Sequence, residues 1–219
     1  MAKFNAENVR AVLFDHDDTL VATIETKWAQ HQHVAKTRYN RDLGEKDLRE
    51  HWGKPLRVMV GLLYGTDDID QAMDYIMLVR DDFPKRLFES TLGVVERIRQ
   101  TARPVGIITA HSREGFELDL DELGIPRELF DYTQTADDTL FHKPDKRVFD
   151  PAIEWLDSMQ IKPEQAMYVG DGLHDMQAAN EAGLQFVGVE TGLVTAQQFR
   201  SVGAVAVADL TELLPLVIN

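Results

Sequence analysis

A short apolar run that ends in a group of acids constrains this chain more than any other feature. Residues 11–14 read Ala-Val-Leu-Phe, and the chain continues as Asp15-His-Asp-Asp-Thr19. An apolar run of this length between polar residues predicts a buried strand. Since residues two apart on an extended chain point to the same side, we expect Asp15 and Asp17 to face one site. Two close carboxylates need a cation or a shared proton, so the stretch predicts a metal site or a proton-transfer site. A strand end whose acids merely cap the next helix is the alternative.

The composition excludes several classes of protein. The 219 residues are 44% hydrophobic, enough to bury the core of one large domain or two smaller ones. A net charge of -14 argues against a nucleic-acid or anionic-membrane partner, because either partner needs a basic face. No apolar run is long enough to span a bilayer, and residues 1–4 lack the apolar region of a signal peptide. The absence of cysteine fits a cytoplasmic protein, and we expect that location.

The hydrophobic periodicity changes at two places along the chain. Helical spacing predicts helices over 25–39, 45–50 and 56–64 and from residue 68 toward 88, with no strand alternation between 21 and 90. Beyond residue 90, predicted helices alternate with predicted strands over 104–108, 130–133, 166–169, 185–188 and 202–206. Alternating strands and helices predict a parallel sheet covered on both faces, with ligands bound at the carboxyl ends of the strands.

Polar residues stand at three further predicted strand ends. Thr109 could donate a hydroxyl to an anionic oxygen, although a threonine in this position is usually a turn residue. Lys143, in Phe-His-Lys-Pro, is by itself most simply a surface charge. Asp171 follows the strand over 166–169 and offers the hard oxygen ligand that Mg²⁺ prefers. Asp175 begins the next predicted helix, and a capping role is at least as well supported there as a metal-binding role.

The order of these motifs resembles the haloacid dehalogenase superfamily. Asp-x-Asp-x-Thr, then Thr, then Lys-Pro, then Gly-Asp-x-x-x-Asp cover nearly the whole chain in that family's order. The helical insert after the first motif is similar to that of phosphoglycolate phosphatase-like and β-phosphoglucomutase-like members. The resemblance implies an α/β fold, with a Rossmann-like parallel sheet core formed by residues 1–20 and 91–219. Residues 21–90 would form an inserted α-helical cap domain.

The resemblance also implies a Mg²⁺-dependent phosphatase that hydrolyses a small phosphate monoester through an aspartyl-phosphate. Asp15 would be the nucleophile, and Asp17 would act as general acid and then as general base. Thr109 and Lys143 would hold the phosphoryl oxygens and stabilise the transition state. The partner would be a small phosphorylated metabolite, and the protein would be a monomer or a homodimer.

The same resemblance implies how the metal is held. Mg²⁺ would be bound by the carboxylates of Asp15 and Asp171 and by the backbone carbonyl of Asp17. Asp175 would be an alternative ligand or act through a water molecule. All of these donors are oxygens, which favours Mg²⁺ over a histidine-bound transition metal. Asp18 departs from the family, which commonly has glycine there, and the sequence does not explain the extra acid.

The predicted cap domain is the part of the chain that we expect to determine the substrate. Its turn, Trp52-Gly-Lys-Pro-Leu56, resembles the specificity loop of the same subgroup. Mutases of the family typically place Lys before this glycine and Arg three residues after it, and the chain has Trp52 and Leu56 instead. The absence of these two cations weakens the case for a mutase, which stays an alternative. Lys54 is a candidate contact for an anionic group of the substrate, with a solvated surface charge as the alternative.

Four histidines adjoin the motif residues, and we expect them to form a polar rim around the site: His16, His111, His142 and His174. A protein of another class also fits the motifs, namely a non-catalytic module that binds Mg²⁺ for interaction with a partner. Every expected catalytic position is filled, which favours the enzyme.

Overall fold

The computed structural model describes residues 4–52, 54 and 56–218. Gly53 and Pro55 of the predicted specificity loop therefore lie outside the described residues. The chain forms two compact units, one made of Met1–Ala22 with Leu87–Asn219 and the other of Thr23–Arg86. The second unit lies within the segment that the sequence predicts as a helical insert.

Eight strands form two sheets in the described part of the chain. In chain order they are β1 (Ala11–Phe14), β2 (Val21–Ala22), β3 (Arg86–Leu87), β4 (Val105–Ile108), β5 (Tyr132–Gln134), β6 (Ala166–Gly170), β7 (Gln185–Val189) and β8 (Val205–Val207). Six of them make a sheet in the order β5-β4-β1-β6-β7-β8, and every neighbouring pair is parallel. The predicted Rossmann-like parallel sheet is confirmed. Strands β2 and β3 pair separately, and two residues are too few to show an alternating pattern in the sequence.

Ten α-helices complete the described chain. They are α1 (Ile24–Tyr39), α2 (Glu45–His51), α3 (Leu56–Tyr64), α4 (Ile69–Leu78), α5 (Thr91–Arg99), α6 (Arg113–Leu123), α7 (Asp150–Ser158), α8 (Leu173–Ala182), α9 (Ala196–Ser201) and α10 (Leu214–Val217). No helix among the described residues is both long and apolar enough to cross a membrane.

The side chains of β1 alternate between the two faces of the large sheet, as an extended chain requires. Val12 and Phe14 belong to one apolar cluster, with residues of α5, α6 and α10. Ala11 and Leu13 belong to the other, with residues of α7, α8 and α9. All four residues are fully buried, which is why the sequence shows a continuous apolar run there.

The helical unit has an apolar core of its own. Buried residues of α1, α2, α3 and α4 pack together in it, among them Val34, Leu48, Val60, Leu63 and Ile76. Periodicity predicted the bounds of α1, α2 and α3 to within one residue, because each of them has a buried face.

Several elements differ from the sequence prediction. The helix predicted to run from Asp68 toward residue 88 ends at Leu78. The strand predicted over 202–206 is shorter and shifted, as β8, and the sequence analysis missed α9 just before it. Helix α9 has only six residues, less than two turns, so its periodicity is too short to recognise.

Candidate active site

The strand register brings the motif residues to one edge of the sheet. Phe14 pairs with Ile107 of β4 and with Val169 of β6. Asp15, Thr109 and Asp171 each follow their own strand at this edge. The backbone NH of Asp15 donates to the carbonyl of Val169 at 2.8 Å, which fixes the start of the loop after β1. The parallel topology thus gathers residues that are more than 150 positions apart in the sequence.

Lys143 is the centre of a buried polar cluster. Its side chain is only 7% exposed, and Nζ lies 2.6 Å from Asp15 Oδ1 and 2.7 Å from Asp175 Oδ1. Nζ also donates to the hydroxyl of Tyr168 at 2.9 Å. The interpretation of Lys143 as a solvated charge is therefore wrong, because its ammonium group is enclosed by two carboxylates and a phenol. Sequence analysis missed Tyr168, which sits inside an apolar strand.

Burial and charge act against each other within this cluster. Burial alone would lower the pKa of Lys143, but Asp15 and Asp175 hold it well above its usual value, so the lysine stays charged. Burial would likewise raise the pKa of Asp175, yet Lys143 outweighs it and the net pKa is lowered. For Asp15, burial together with the charges of Asp175 and Asp17 outweighs Lys143, and the pKa is raised.

Asp171 experiences the strongest charge conflict. Burial raises its pKa well above the usual value, and the neighbouring charges of Asp175, Asp15 and Asp18 raise it further. Lys143 opposes these effects only in part. The charge of Lys143 is therefore not enough to balance ionised Asp171 and its acidic neighbours, and a bound cation would relieve this imbalance.

The carboxylates are arranged as a cation site requires. Among the described residues, Asp15, Asp171 and Asp175 each offer an oxygen within 4.8 Å of the other two. Three carboxylate oxygens are a hard donor set that suits Mg²⁺. The carboxylate of Asp17 is not part of this group, in keeping with the backbone role that the resemblance implies for it.

Asp175 has the capping role that the sequence allowed, and its metal-binding role stays a prediction. Its Oδ2 accepts a hydrogen bond from the backbone NH of Gly172 at 2.9 Å and so caps α8, while Oδ1 faces Lys143. The two glycines around Asp171 leave room for this arrangement. A Cβ at Gly170 would lie 2.7 Å from the side chain of Asp175, and one at Gly172 would lie 2.2 Å from the ring of His174.

Asp17 takes part in a separate hydrogen-bonded chain. Its Oδ2 lies 2.6 Å from His111 Nε2, and His111 Nδ1 lies 3.3 Å from Asp119 Oδ2. The same Asp119 oxygen lies 3.2 Å from His16 Nε2. His16 is fully buried, so the prediction that it lies on a polar rim is wrong. Thr109 adjoins this chain, because its hydroxyl accepts from the backbone NH of His111 at 3.1 Å.

The loop after β7 contributes a fifth strand end that sequence analysis missed. The hydroxyl of Thr191 donates to the backbone carbonyl of Asp18. A Cβ on Gly192 would lie 1.8 Å from Asp171 Oδ2, so only glycine fits beside that carboxylate. A strand end followed by Glu-Thr-Gly was the signal available in the sequence, but nothing in it separates this turn from an ordinary one.

Asp18 adopts a left-handed backbone conformation, with φ of 54°. Its NH donates to the carbonyl of Val21 at 2.7 Å, closing the turn after β1. Glycine reaches this conformation without cost, which explains why the family commonly has glycine here. Aspartate is among the few other residues that tolerate it.

Lys54 belongs to the helical unit. Its Nζ lies 2.7 Å from His51 Nδ1 and donates to the carbonyl of Glu50 at 3.2 Å. These local contacts neither support nor oppose a role in substrate binding, which stays a prediction.

The geometry can now be compared with known proteins. A family model described as haloacid dehalogenase-like hydrolase matches residues 12–189. The chain belongs to the haloacid dehalogenase-like hydrolase family. The resemblance found in the sequence is confirmed, as is the predicted enzyme class, a hydrolase of the phosphatase type.

Individual relatives agree with this assignment. The chain is 28% identical to "Pyrophosphatase PpaX" of Bacillus cereus over 96% of its own length and 97% of that protein. A crystal structure of a candidate haloacid dehalogenase-like hydrolase from Bacteroides fragilis is similar with a TM-score of 0.76 and 25% identity, covering 94% and 99% of the two chains. A candidate β-phosphoglucomutase from Thermotoga maritima has a TM-score of 0.79 at 20% identity, covering 95% and 98%.

Proposed function

We propose that this protein is a Mg²⁺-dependent phosphatase that hydrolyses a small phosphate monoester through an aspartyl-phosphate on Asp15. The observation that carries the proposal is the position of Asp15, a buried carboxylate 2.6 Å from the ammonium of Lys143 at the edge of the sheet where five strand ends meet. An anionic nucleophile beside a fixed cation suits attack on an anionic phosphate, because the cation reduces the repulsion between them.

The reaction takes two steps. An oxygen of Asp15 attacks phosphorus while the bond from phosphorus to the leaving oxygen breaks, and Asp17 gives its proton to that oxygen. In the second step water attacks the phosphorus of the aspartyl-phosphate and Asp17 takes a proton from it. The bond to Asp15 breaks, and inorganic phosphate is released. Thr109 and Lys143 hold phosphoryl oxygens in both steps, and Lys143 neutralises the charge that they carry.

The donor set fits Mg²⁺. Asp15 and Asp171 would hold the ion with their carboxylates, the backbone carbonyl of Asp17 would complete the protein's share, and Asp175 would be an alternative ligand. The ion supplies positive charge next to the phosphoryl group and so helps the nucleophile to approach it. The raised pKa of Asp171 supports this proposal, because burial and three neighbouring carboxylates outweigh the single positive charge of Lys143.

We assign the helical unit, predicted as residues 21–90, the role of a cap that selects the substrate and excludes water. Lys54 is the candidate contact for a second anionic group on the substrate. Pyrophosphate is a second candidate substrate, favoured by the name of the Bacillus cereus relative. A phosphosugar mutase is the weaker alternative, because Trp52 and Leu56 occupy the positions where mutases carry cations. We further propose a cytoplasmic location.

A substrate panel tests the proposed function. Phosphate release is measured from small phosphate monoesters and from pyrophosphate, with Mg²⁺ and with a chelator, for the wild type and Asp15→Asn. We expect release from at least one monoester, loss of activity with the chelator, and a decrease of about a thousandfold or more for Asp15→Asn. Activity that survives chelation or the substitution would refute the mechanism. Isomerised product without free phosphate would show a mutase.

The same panel separates the enzyme from a binding module. A non-catalytic protein would bind Mg²⁺ and turn over nothing on the panel. One substitution tests the proposed role of Lys54 in the cap. Lys54→Gln should raise KM for a doubly anionic substrate and leave KM for a singly anionic substrate unchanged.

A further inference from the structure

We infer that His111 and Asp119 are positioning residues for Asp17, holding one of its carboxyl oxygens so that the acid–base group is fixed before substrate binds. This inference rests on the proposed function, since it concerns the residue that would protonate the leaving group. Neither residue belongs to the motifs from which the family was recognised.

The contact between His111 and Asp17 is short and direct. His111 Nε2 lies 2.6 Å from Asp17 Oδ2, a short hydrogen-bond distance. The side chain of Asp17 is 33% exposed and that of His111 is 22% exposed. A partly exposed carboxylate can sample several rotamers, and the contact with the imidazole favours one of them for Asp17.

Asp119 in turn fixes the ring of His111. Its side chain is only 7% exposed, and Oδ2 lies 3.3 Å from His111 Nδ1. The two ring nitrogens of His111 therefore face two different carboxylates, and a contact at each nitrogen limits rotation of the ring. This arrangement of a carboxylate that orients a histidine, which then contacts a reacting group, is the general logic of catalytic triads.

Asp119 is held rigidly from the opposite side. It lies on the buried face of α6 beside Phe116 and Leu120, a position where an unpaired acid would be costly. His16 is fully buried, its Nε2 is 3.2 Å from the same oxygen of Asp119, and its ring packs edge-on against those of Phe116 and His111. The series of side-chain contacts from Asp119 on α6 through His111 to Asp17 therefore consists of packed rings and carboxylates that orient one another.

The position of His111 in the sequence agrees with this role. It directly precedes Ser112, whose hydroxyl accepts from Gly115 NH and caps α6. The backbone NH of His111 also donates to the hydroxyl of Thr109. The loop after β4 thus places a phosphoryl-binding hydroxyl and an imidazole side by side.

The test compares substrates that differ in their need for general acid catalysis. p-Nitrophenyl phosphate has a stable leaving group that needs little protonation, whereas an alkyl phosphate has a poor one that needs much. The parameter is kcat/KM, which reports the steps up to breakage of the phosphorus–oxygen bond. We expect His111→Ala to lower kcat/KM for the alkyl phosphate by about tenfold to a hundredfold, with KM nearly unchanged, and for the aryl phosphate by less than about threefold.

Further variants separate positioning from folding. His111→Gln retains an amide group that can donate to Asp17 and should restore most of the alkyl activity. Asp119→Asn should resemble His111→Ala. Asp121→Asn on the same helix, an exposed acid paired with Arg127, is the matched control and should leave both activities unchanged. Melting temperatures show whether each variant is folded.

The outcomes distinguish this inference from the proposed function. Equal losses on both substrates, or no rescue by His111→Gln in a folded protein, would overturn the positioning role while the phosphatase assignment stands. A wild type that hydrolyses neither ester, with or without Mg²⁺, would overturn the proposed function and the inference with it.

Discussion

Tyr168 shows how an apolar strand can carry a residue that serves the site. It is fully buried, and its hydroxyl accepts from Lys143 Nζ at 2.9 Å. Burial raises the pKa of Tyr168 well above its usual value, so the hydroxyl stays neutral beside the lysine. Its contribution is to limit the directions in which the ammonium of Lys143 can point.

We predict that Tyr168→Phe lowers kcat by about tenfold, because a less constrained Lys143 holds the phosphoryl oxygens less well. The lost hydrogen bond should also cost about 1 kcal/mol of unfolding free energy. Tyr132→Phe is the matched control, since its half-buried hydroxyl donates to Gln134 Oε1 at 2.9 Å and contacts none of the site residues described above. A similar loss of kcat in both variants would contradict the prediction. The measurements are steady-state kinetics and thermal unfolding.

Asp18 offers a second prediction at the level of a residue. Asp18→Gly and Asp18→Ala lose the same carboxylate, but only alanine must hold a Cβ at φ of 54°. We expect Asp18→Gly to be more stable than Asp18→Ala by about 1 kcal/mol. Denaturant unfolding of the two variants measures the difference. Equal stabilities would mean that the turn after β1 relaxes out of the left-handed conformation.

At the scale of elements, the loop after β7 is part of the site because of its backbone. Gly192 lies very close to Asp171. A Cβ added to Gly192 would lie 1.8 Å from Asp171 Oδ2 and 2.7 Å from Asp171 Cβ. The whole side chain of Asp171 would have to move to make room. We therefore predict that Gly192→Ala lowers the affinity for Mg²⁺ by about tenfold.

Titration calorimetry with Mg²⁺ checks this prediction. Gly93→Ala is the control, since Gly93 lies in α5 and a Cβ there meets no atom within 4 Å. That variant should retain the affinity for Mg²⁺ and gain about 0.5–1 kcal/mol of stability, because alanine favours helix over glycine. An unchanged Mg²⁺ affinity in Gly192→Ala would show that the loop after β7 has no role in the proposed metal site.

At the scale of the whole molecule, the pKa of Asp171 makes the stability of the fold depend on pH. Its pKa in the folded, metal-free protein is raised by burial and then by neighbouring carboxylates. A raised folded-state pKa means that the folded protein binds this proton more tightly than the unfolded chain does. Stability is therefore lost as the pH rises from the ordinary aspartate pKa of 3.8 to the raised pKa of the folded protein.

We predict that metal-free Asp171→Asn melts at a higher temperature than the wild type at neutral pH, and that the difference shrinks at acidic pH. Mg²⁺ at one hundred times its Kd should stabilise the wild type by about 2.7 kcal/mol and the variant hardly at all. Asp157→Asn, which changes an exposed acid on α7, is the control. Scanning calorimetry with and without Mg²⁺ measures the melting temperatures of the two proteins. Equal stabilisation of both proteins by Mg²⁺ would exclude Asp171 as a ligand.

The fold was predictable because its signals are local. Helix α3 begins and ends at the predicted residues, since it has a buried face and Gly65 follows it directly. The buried strands showed as apolar runs. The shortest elements, such as β2, β3 and α9, were missed because they are too short to show a repeated pattern.

The sequence by itself determined the family, the sheet and the acids at its edge. Asp15, Thr109, Lys143 and Asp171 follow strands in a recognisable order, and parallel strands must bring such residues together. Only the tertiary structure decided what surrounds them. The contact of His111 with Asp17 joins residues 94 positions apart, and that of Thr191 with Asp18 joins residues 173 apart. Such contacts depend on how helices and loops pack, which no local pattern encodes, so the partners of the catalytic groups emerge only when the chain is folded.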